Sequence, residues 1–132
     1  MTPRAVTQPA VGQPAVGQPA ETWTVVCRVA DIPLEGGVAA LVGTEPVALF
    51  RTHDGVVHAI GNLDPFSDAS VLARGIVGSR GELPVVSSPM YKQAFDLRTG
   101  RCLDADGVSV PSYDVAVVEG EVLIGERRAV ES

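Results

Sequence analysis

Apolar and polar residues between positions 22 and 126 alternate with a period near two, and no segment carries the long 3.6-residue stripe of an amphipathic helix. Residues 22–29, Thr-Trp-Thr-Val-Val-Cys-Arg-Val, are rich in β-branched side chains and too short for a typical helix, so they predict a strand. Residues 31–37, with Pro33 and Gly36-Gly37, form a connection. Two strands follow over residues 37–43 and 47–52, parted at Thr44-Glu45-Pro46. His53-Asp54-Gly55 is then a turn whose Asp-Gly favours a hairpin back into residues 56–60. The first half is therefore expected to be a β-meander. Residues 62–80 read as an irregular loop, broken by Pro65, Gly75 and Gly78, with one short helical turn over residues 70–74. Strand character resumes at residues 83–87, at 93–97 and 101–103 around the Leu97-Arg98-Thr99-Gly100 turn, and at 113–118 paired with 122–125 across Glu119-Gly120-Glu121. The pattern predicts a mainly β domain from which two loops, residues 62–80 and 88–92, project. Trp23, Phe50, Phe95 and Tyr113 fall on strands and are expected in its core.

Ahead of this domain, residues 5–20 repeat Ala-Val-x-Gln-Pro three times, and Pro9, Pro14 and Pro19 remove backbone donors from any helix or ladder. The repeat has too few large apolar side chains to offset its ordering entropy, and composition favours a solvated arm over a partner-binding one. The expected division is a disordered arm over residues 1–21, a folded domain over 22–126 and a flexible tail over 127–132. Ten basic against sixteen acidic residues leave a net charge of −6, which argues against nucleic acid or an anionic membrane as partner. No apolar run approaches the roughly 20 residues of a membrane-spanning helix, and the N-terminus lacks the layout of a signal peptide. A cytoplasmic location is expected. Cys27 and Cys102 lie far apart and suggest no disulfide framework.

The two projecting loops carry the most specific words in the chain. The first reads Asn62-Leu63-Asp64-Pro65-Phe66-Ser67, the second Ser88-Pro89-Met90-Tyr91-Lys92, and after it come Phe95-Asp96-Leu97-Arg98-Thr99-Gly100 and Val110-Pro111-Ser112-Tyr113-Asp114-Val115. A Pro-containing loop, a second Pro loop, the Phe-Asp-Leu-x-Thr-Gly hairpin and a late Val-Pro-x-Tyr strand together resemble the Rieske iron-sulfur domain, an antiparallel β-sandwich. In that family the loops read Cys-Pro-His and Cys-Pro-x-His. Here the four ligand positions hold Asp64, Phe66, Ser88 and Tyr91. A Rieske cluster needs two thiolates on one iron and two imidazoles on the other, which these side chains do not supply. A Rieske-like domain with replaced ligands resembles the small subunits of cytoplasmic NAD(P)H-dependent nitrite reductase. That resemblance covers nearly all of residues 22–125 and omits the arm. It implies a non-redox accessory chain of nitrate assimilation with no cofactor of its own. Its partner would be a large subunit that holds FAD, an iron-sulfur cluster and siroheme and reduces nitrite to ammonium. The alternative is a clusterless module that docks another oxidoreductase.

Cys27, Cys102, His53 and His58 match the inventory of one metal site, but they lie outside the paired loops and form no Cys-x-x-Cys or Cys-x-His pair, so buried thiols and solvent-facing hairpin histidines are the expectation. No nucleophile elbow, P-loop or dinucleotide fingerprint is present. Asp64 could act as an acid or base, with Asp68 four residues on, yet a carboxylate before proline is more often a turn-former. Tyr91 and Lys92 could hold a small anion, or contact a partner. With Asp64 they would make the site of an independent enzyme, which ranks last because no base or metal completes it. The expected partner contact is Asp64, Phe66, Ser67, Met90, Tyr91 and Lys92, either as a docking tip or as internal loop packing. One arrangement would have Phe66 and Tyr91 fill the space of the missing cluster while Asp64, Ser67 and Lys92 lie outward.

Overall fold

Strand Glu45–Arg51 holds the domain together because both of its faces are buried: Val47, Ala48, Leu49 and Phe50 are all fully inaccessible to solvent. Alternation along it sends Val47 and Leu49 into one apolar cluster and Ala48 and Phe50 into another, so a continuous apolar run serves two cores. In the computed structural model, which describes residues 23–128, it is one of eleven strands. They are β1 (Thr24–Arg28), β2 (Gly36–Val42), β3 (Glu45–Arg51), β4 (Val57–Gly61), β5 (Leu63–Asp64), β6 (Ala69–Ser70), β7 (Ile76–Arg80), β8 (Leu83–Ser87), β9 (Ala94–Asp96), β10 (Tyr113–Val118) and β11 (Glu121–Arg127). The predicted arm and the last residues of the predicted tail lie outside the described residues.

Every pairing among these strands is antiparallel. β2, β3 and β4 form the expected meander. β1 does not join it; it pairs with β11, which also pairs with β10, so the first strand is stitched to the end of the chain. The β2-β3-β4 and β1-β11-β10 sheets enclose Ile32, Val47, Leu49, Val57, Ala59, Tyr113, Val122 and Ile124. The other face of β3 packs with Phe50, Ile60, Leu72, Val86, Phe95, Leu97, Cys102 and Val110, under the β7-β8-β9 sheet that carries the second loop.

The structure corrects the reading of residues 62–80 as one irregular loop. A short helical turn is present at Leu72–Arg74, but β5, β6 and β7 are strands. β7 escaped notice because it is a polar, glycine-containing edge strand with one half-buried apolar side chain, Val77. It can lie against β8 because Gly75 has no Cβ: a methyl there would collide with the Ser87 carbonyl oxygen. Gly100 is constrained further, since it has φ +81° and a Cβ would meet the Val110 carbonyl. β11 runs to Arg127, and the Arg128 N–H donates to the Ser112 carbonyl at 2.8 Å, so the domain extends into the predicted tail.

Candidate functional site: a clasped pair of loops

Loops Asp64-Pro-Phe-Ser-Asp68 and Ser88-Pro-Met-Tyr-Lys92 follow the same plan. Each begins with a polar residue before proline and closes on itself five residues long: the Asp68 N–H donates to the Asp64 carbonyl at 2.7 Å, and the Lys92 N–H to the Ser88 carbonyl at 3.0 Å. Closure puts Asp68 at φ 60° and Lys92 at φ 69°, the left-handed region that side chains other than glycine seldom occupy. In each loop the opening side chain accepts the N–H two residues on, Phe66 N–H to Asp64 Oδ1 at 2.9 Å and Met90 N–H to Ser88 Oγ at 3.1 Å. The loops are then joined, because the Ser88 hydroxyl donates to Asp64 Oδ2 at 2.6 Å.

Asn62, which opens the first loop's word and is buried, anchors the base of that loop. Its Oδ1 accepts the Ala73 N–H at 2.7 Å and its Nδ2 donates to the Ser70 carbonyl at 3.3 Å. Asp104 does the same near the second loop, accepting the Ala94 N–H at 2.8 Å and pairing with Arg80 at 2.9 Å. Its carboxyl is held below the usual range, first by Arg80 and then by the Ala94 N–H.

This geometry corrects the expected orientation of the loop residues. Asp64 does not face outward; it is fully buried, with Oδ1 accepting the Phe66 N–H and Oδ2 accepting the Ser88 hydroxyl from the second loop. Ser67 is half-buried, with its hydroxyl enclosed and without a partner among the described residues. Tyr91 does not fill the interior; it is 57% exposed, and Met90 beside it is 51% exposed. Of the two aromatic residues only Phe66 turns inward, its ring centroid 6.3 Å from that of the fully buried Phe95 at a tilt of 52°. Lys92 is exposed. Leu63, not singled out beforehand, is 44% exposed next to the first loop. A buried polar pair thus joins two loops on which Leu63 and Pro65, and Pro89, Met90 and Tyr91, are exposed.

A [2Fe-2S] cluster does not fit this donor set. The positions that would offer thiolates hold a carboxylate and a hydroxyl bonded to each other, and those that would offer imidazoles hold a phenyl ring and a phenol. Among the described residues no three His, Cys, Asp or Glu side chains are grouped so that they could hold a metal ion. Cys27 is half-buried on β1 and Cys102 is buried in the core, both as free thiols.

His58 departs from the expectation of a solvent-facing histidine. It is half-buried on β4, at a cavity of about 390 Å³ that Trp23, Arg98, Tyr113, Asp114 and Arg128 also line. Burial pushes its pKa down, only partly opposed by Asp54 and Asp96. The two guanidiniums there are balanced, Arg98 by Asp96 at 2.9 Å and Arg128 by Asp114 at 3.7 Å. A histidine with a depressed folded pKa stabilises the fold fully above its unfolded value of about 6.5, and that contribution is lost as pH falls through the folded value. Stability measured by denaturant titration is therefore expected to decline as pH drops below about 6.5, and the decline should be shallower in His58→Gln. An unchanged slope would assign it to other groups.

Comparison with known proteins agrees with the loop pattern. The family described as Rieske-like [2Fe-2S] domain matches residues 22–125. The nitrite reductase (NADH) small subunit of Escherichia coli K12 is 45% identical over 102 residues, which span 76% of this chain and 94% of that protein. The crystal structure of a Mycobacterium tuberculosis protein proposed to be an NADH-dependent nitrite reductase small subunit superposes with a TM-score of 0.75 at 47% identity, covering 83% of this chain and 96% of that one. The nitrite reductase [NAD(P)H] large subunit of Klebsiella oxytoca contains a segment 41% identical over 106 residues, which is 80% of this chain but 11% of that protein. Among the described residues no helix is long and apolar enough to cross a membrane. The chain belongs to the Rieske-like [2Fe-2S] domain family, on the branch formed by the small subunits of NAD(P)H nitrite reductase.

Proposed function

We propose that this chain is the non-redox accessory subunit of a cytoplasmic NAD(P)H-dependent nitrite reductase and that it acts by docking its two-loop tip on the large subunit. FAD, an iron-sulfur cluster and siroheme belong to that partner, which reduces nitrite to ammonium in nitrate assimilation. The observation that carries the reading is the Klebsiella oxytoca large subunit, which contains a segment like this chain within its own sequence. A domain tethered to its partner in one organism and separate in another is one whose place is beside that partner, since a tether only raises its effective concentration there.

The contact surface is Met90, Tyr91 and Lys92, with Leu63 and Pro65 of the neighbouring loop. Exposed aromatic and methionine side chains on loops held from beneath are what a protein interface selects. Asp64, Phe66 and Ser67 support that surface from inside. The test is nitrite-dependent NAD(P)H oxidation by the purified large subunit with and without this chain. Stable association and a rise in turnover are expected. Neither association nor any change in turnover would overturn the proposal and leave a module that docks a different oxidoreductase.

A further inference from the structure

We infer that the Asp64 and Ser88 side chains do the structural work of the missing cluster, as a hydrogen-bonded clasp that locks the two loops together and positions Met90 and Tyr91 for the partner. The inference rests on the docking reading above. In a cluster-bearing domain, metal ligands from both loops hold them in one geometry. Without such a link each loop is closed only on itself, through its own five-residue turn. An exposed loop tip of this kind opens at low free-energy cost and must be ordered when it binds.

The clasp forms a continuous chain of three hydrogen bonds. The Met90 N–H donates to Ser88 Oγ, the Ser88 hydroxyl donates to Asp64 Oδ2, and Asp64 Oδ1 accepts the Phe66 N–H. It runs from the backbone under the exposed Met90 to the backbone of Phe66, whose ring packs on Phe95. The residue types follow from donor and acceptor capacity. Asp64 must accept twice, and a carboxylate does that; Ser88 must accept and donate at once, and a hydroxyl does that. Asp64 is 0% and Ser88 1% exposed, so water does not compete for these bonds, and 2.6 Å is the length of a hydroxyl bond to a carboxylate.

The common plan of the two loops supplies the test. If the carboxylate and the hydroxyl change places, the chain of donors reverses and still closes. Asp64→Ser and Ser88→Asp each break it alone, the first because a serine Oγ stops one bond short of the Asp64 Oδ2 that the Ser88 hydroxyl reaches and the second by setting two carboxylates against each other. Amide exchange at Phe66 and Met90, read by NMR on the full chain, is expected to speed up about tenfold in each single variant, with affinity for the large subunit falling by a similar factor. The Asp64→Ser/Ser88→Asp double variant is expected to recover most of both losses. Cooperative thermal unfolding checks that each variant folds, and Ser88→Thr, which keeps the hydroxyl, should retain slow exchange if Ser88→Asp does not fold.

Unchanged exchange in a folded single variant, or a double variant no better than the worse single, would overturn the clasp. Faster exchange with unchanged affinity, where Tyr91→Ala does weaken binding, would overturn its positioning role and leave the docking reading intact. If Tyr91→Ala leaves binding unchanged, the docking reading fails and the positioning role with it. The exchange arm in the free chain then still decides whether the clasp orders the tip.

Discussion

Replacing Phe95 with alanine is expected to lower stability by about 3–5 kcal/mol, the usual cost of removing a fully buried phenylalanine from a packed core. Phe95 lies on β9 and packs with Phe50 and Val86 of strands β3 and β8, with Leu72 of the short helical turn and with Leu97. Domains of this size keep only about 5–15 kcal/mol of net stability, so the loss is a large share of the whole. By scanning calorimetry the midpoint should fall by more than about 10 °C. Because Phe66 rests on the same ring, the first loop should loosen as well, and its amides should exchange faster even at temperatures where the domain stays folded. A loss below about 1 kcal/mol would mean that the core collapses around the gap, and that Phe95 is not what seats the first loop.

The second large effect is on association. The Met90→Ala/Tyr91→Ala double variant is expected to weaken binding to the large subunit at least about 30-fold, a loss of about 2 kcal/mol or more, as for buried aromatic anchors at interfaces. Both side chains are more than half exposed in the free chain, so the unfolding free energy should stay within about 0.5 kcal/mol of the parent. This separation of binding from stability distinguishes a contact residue from a core residue. Val117→Ala supplies the control: Val117 is 46% exposed on β10, away from the loops, and its loss should leave binding unchanged. Isothermal titration calorimetry against the large subunit reads both variants. Equal losses from Val117→Ala and from the loop variant would place the interface elsewhere.

The β architecture was legible because its signals are local. β-branched residues marked β1, β10 and β11, short apolar runs marked β3 and β8, Asp54-Gly55 marked the β3-β4 hairpin, and Glu119-Gly120 marked the tight turn between β10 and β11, where both residues have positive φ. The paired loop words identified the family for the same reason. What the sequence did not disclose depends on long-range contact. β1 was placed in a meander because nothing within it states that Thr24 faces Ile124, a hundred residues on. β7 was missed because its pairing is specified by Gly75 and by β8, not by its own apolar content. The inversion of Asp64 and Tyr91 has a similar cause. Asp64 is drawn inside by its bond to the Ser88 hydroxyl, 24 residues on, while Tyr91 is turned out, and neither direction is stated by the loop's own residues. Asp-Pro and Ser-Pro at the openings of both loops were the available signal for capped turns, and reading them together would have pointed to the buried pair.

The docking account is tested most directly by a hydrogen-exchange footprint of this chain, free and bound to the purified large subunit. It predicts slower exchange on binding in residues 63–68 and 88–92, with the amides of β1, β10 and β11 unchanged. Protection confined to the β1-β11-β10 sheet, with both loops exchanging as in the free chain, would contradict it.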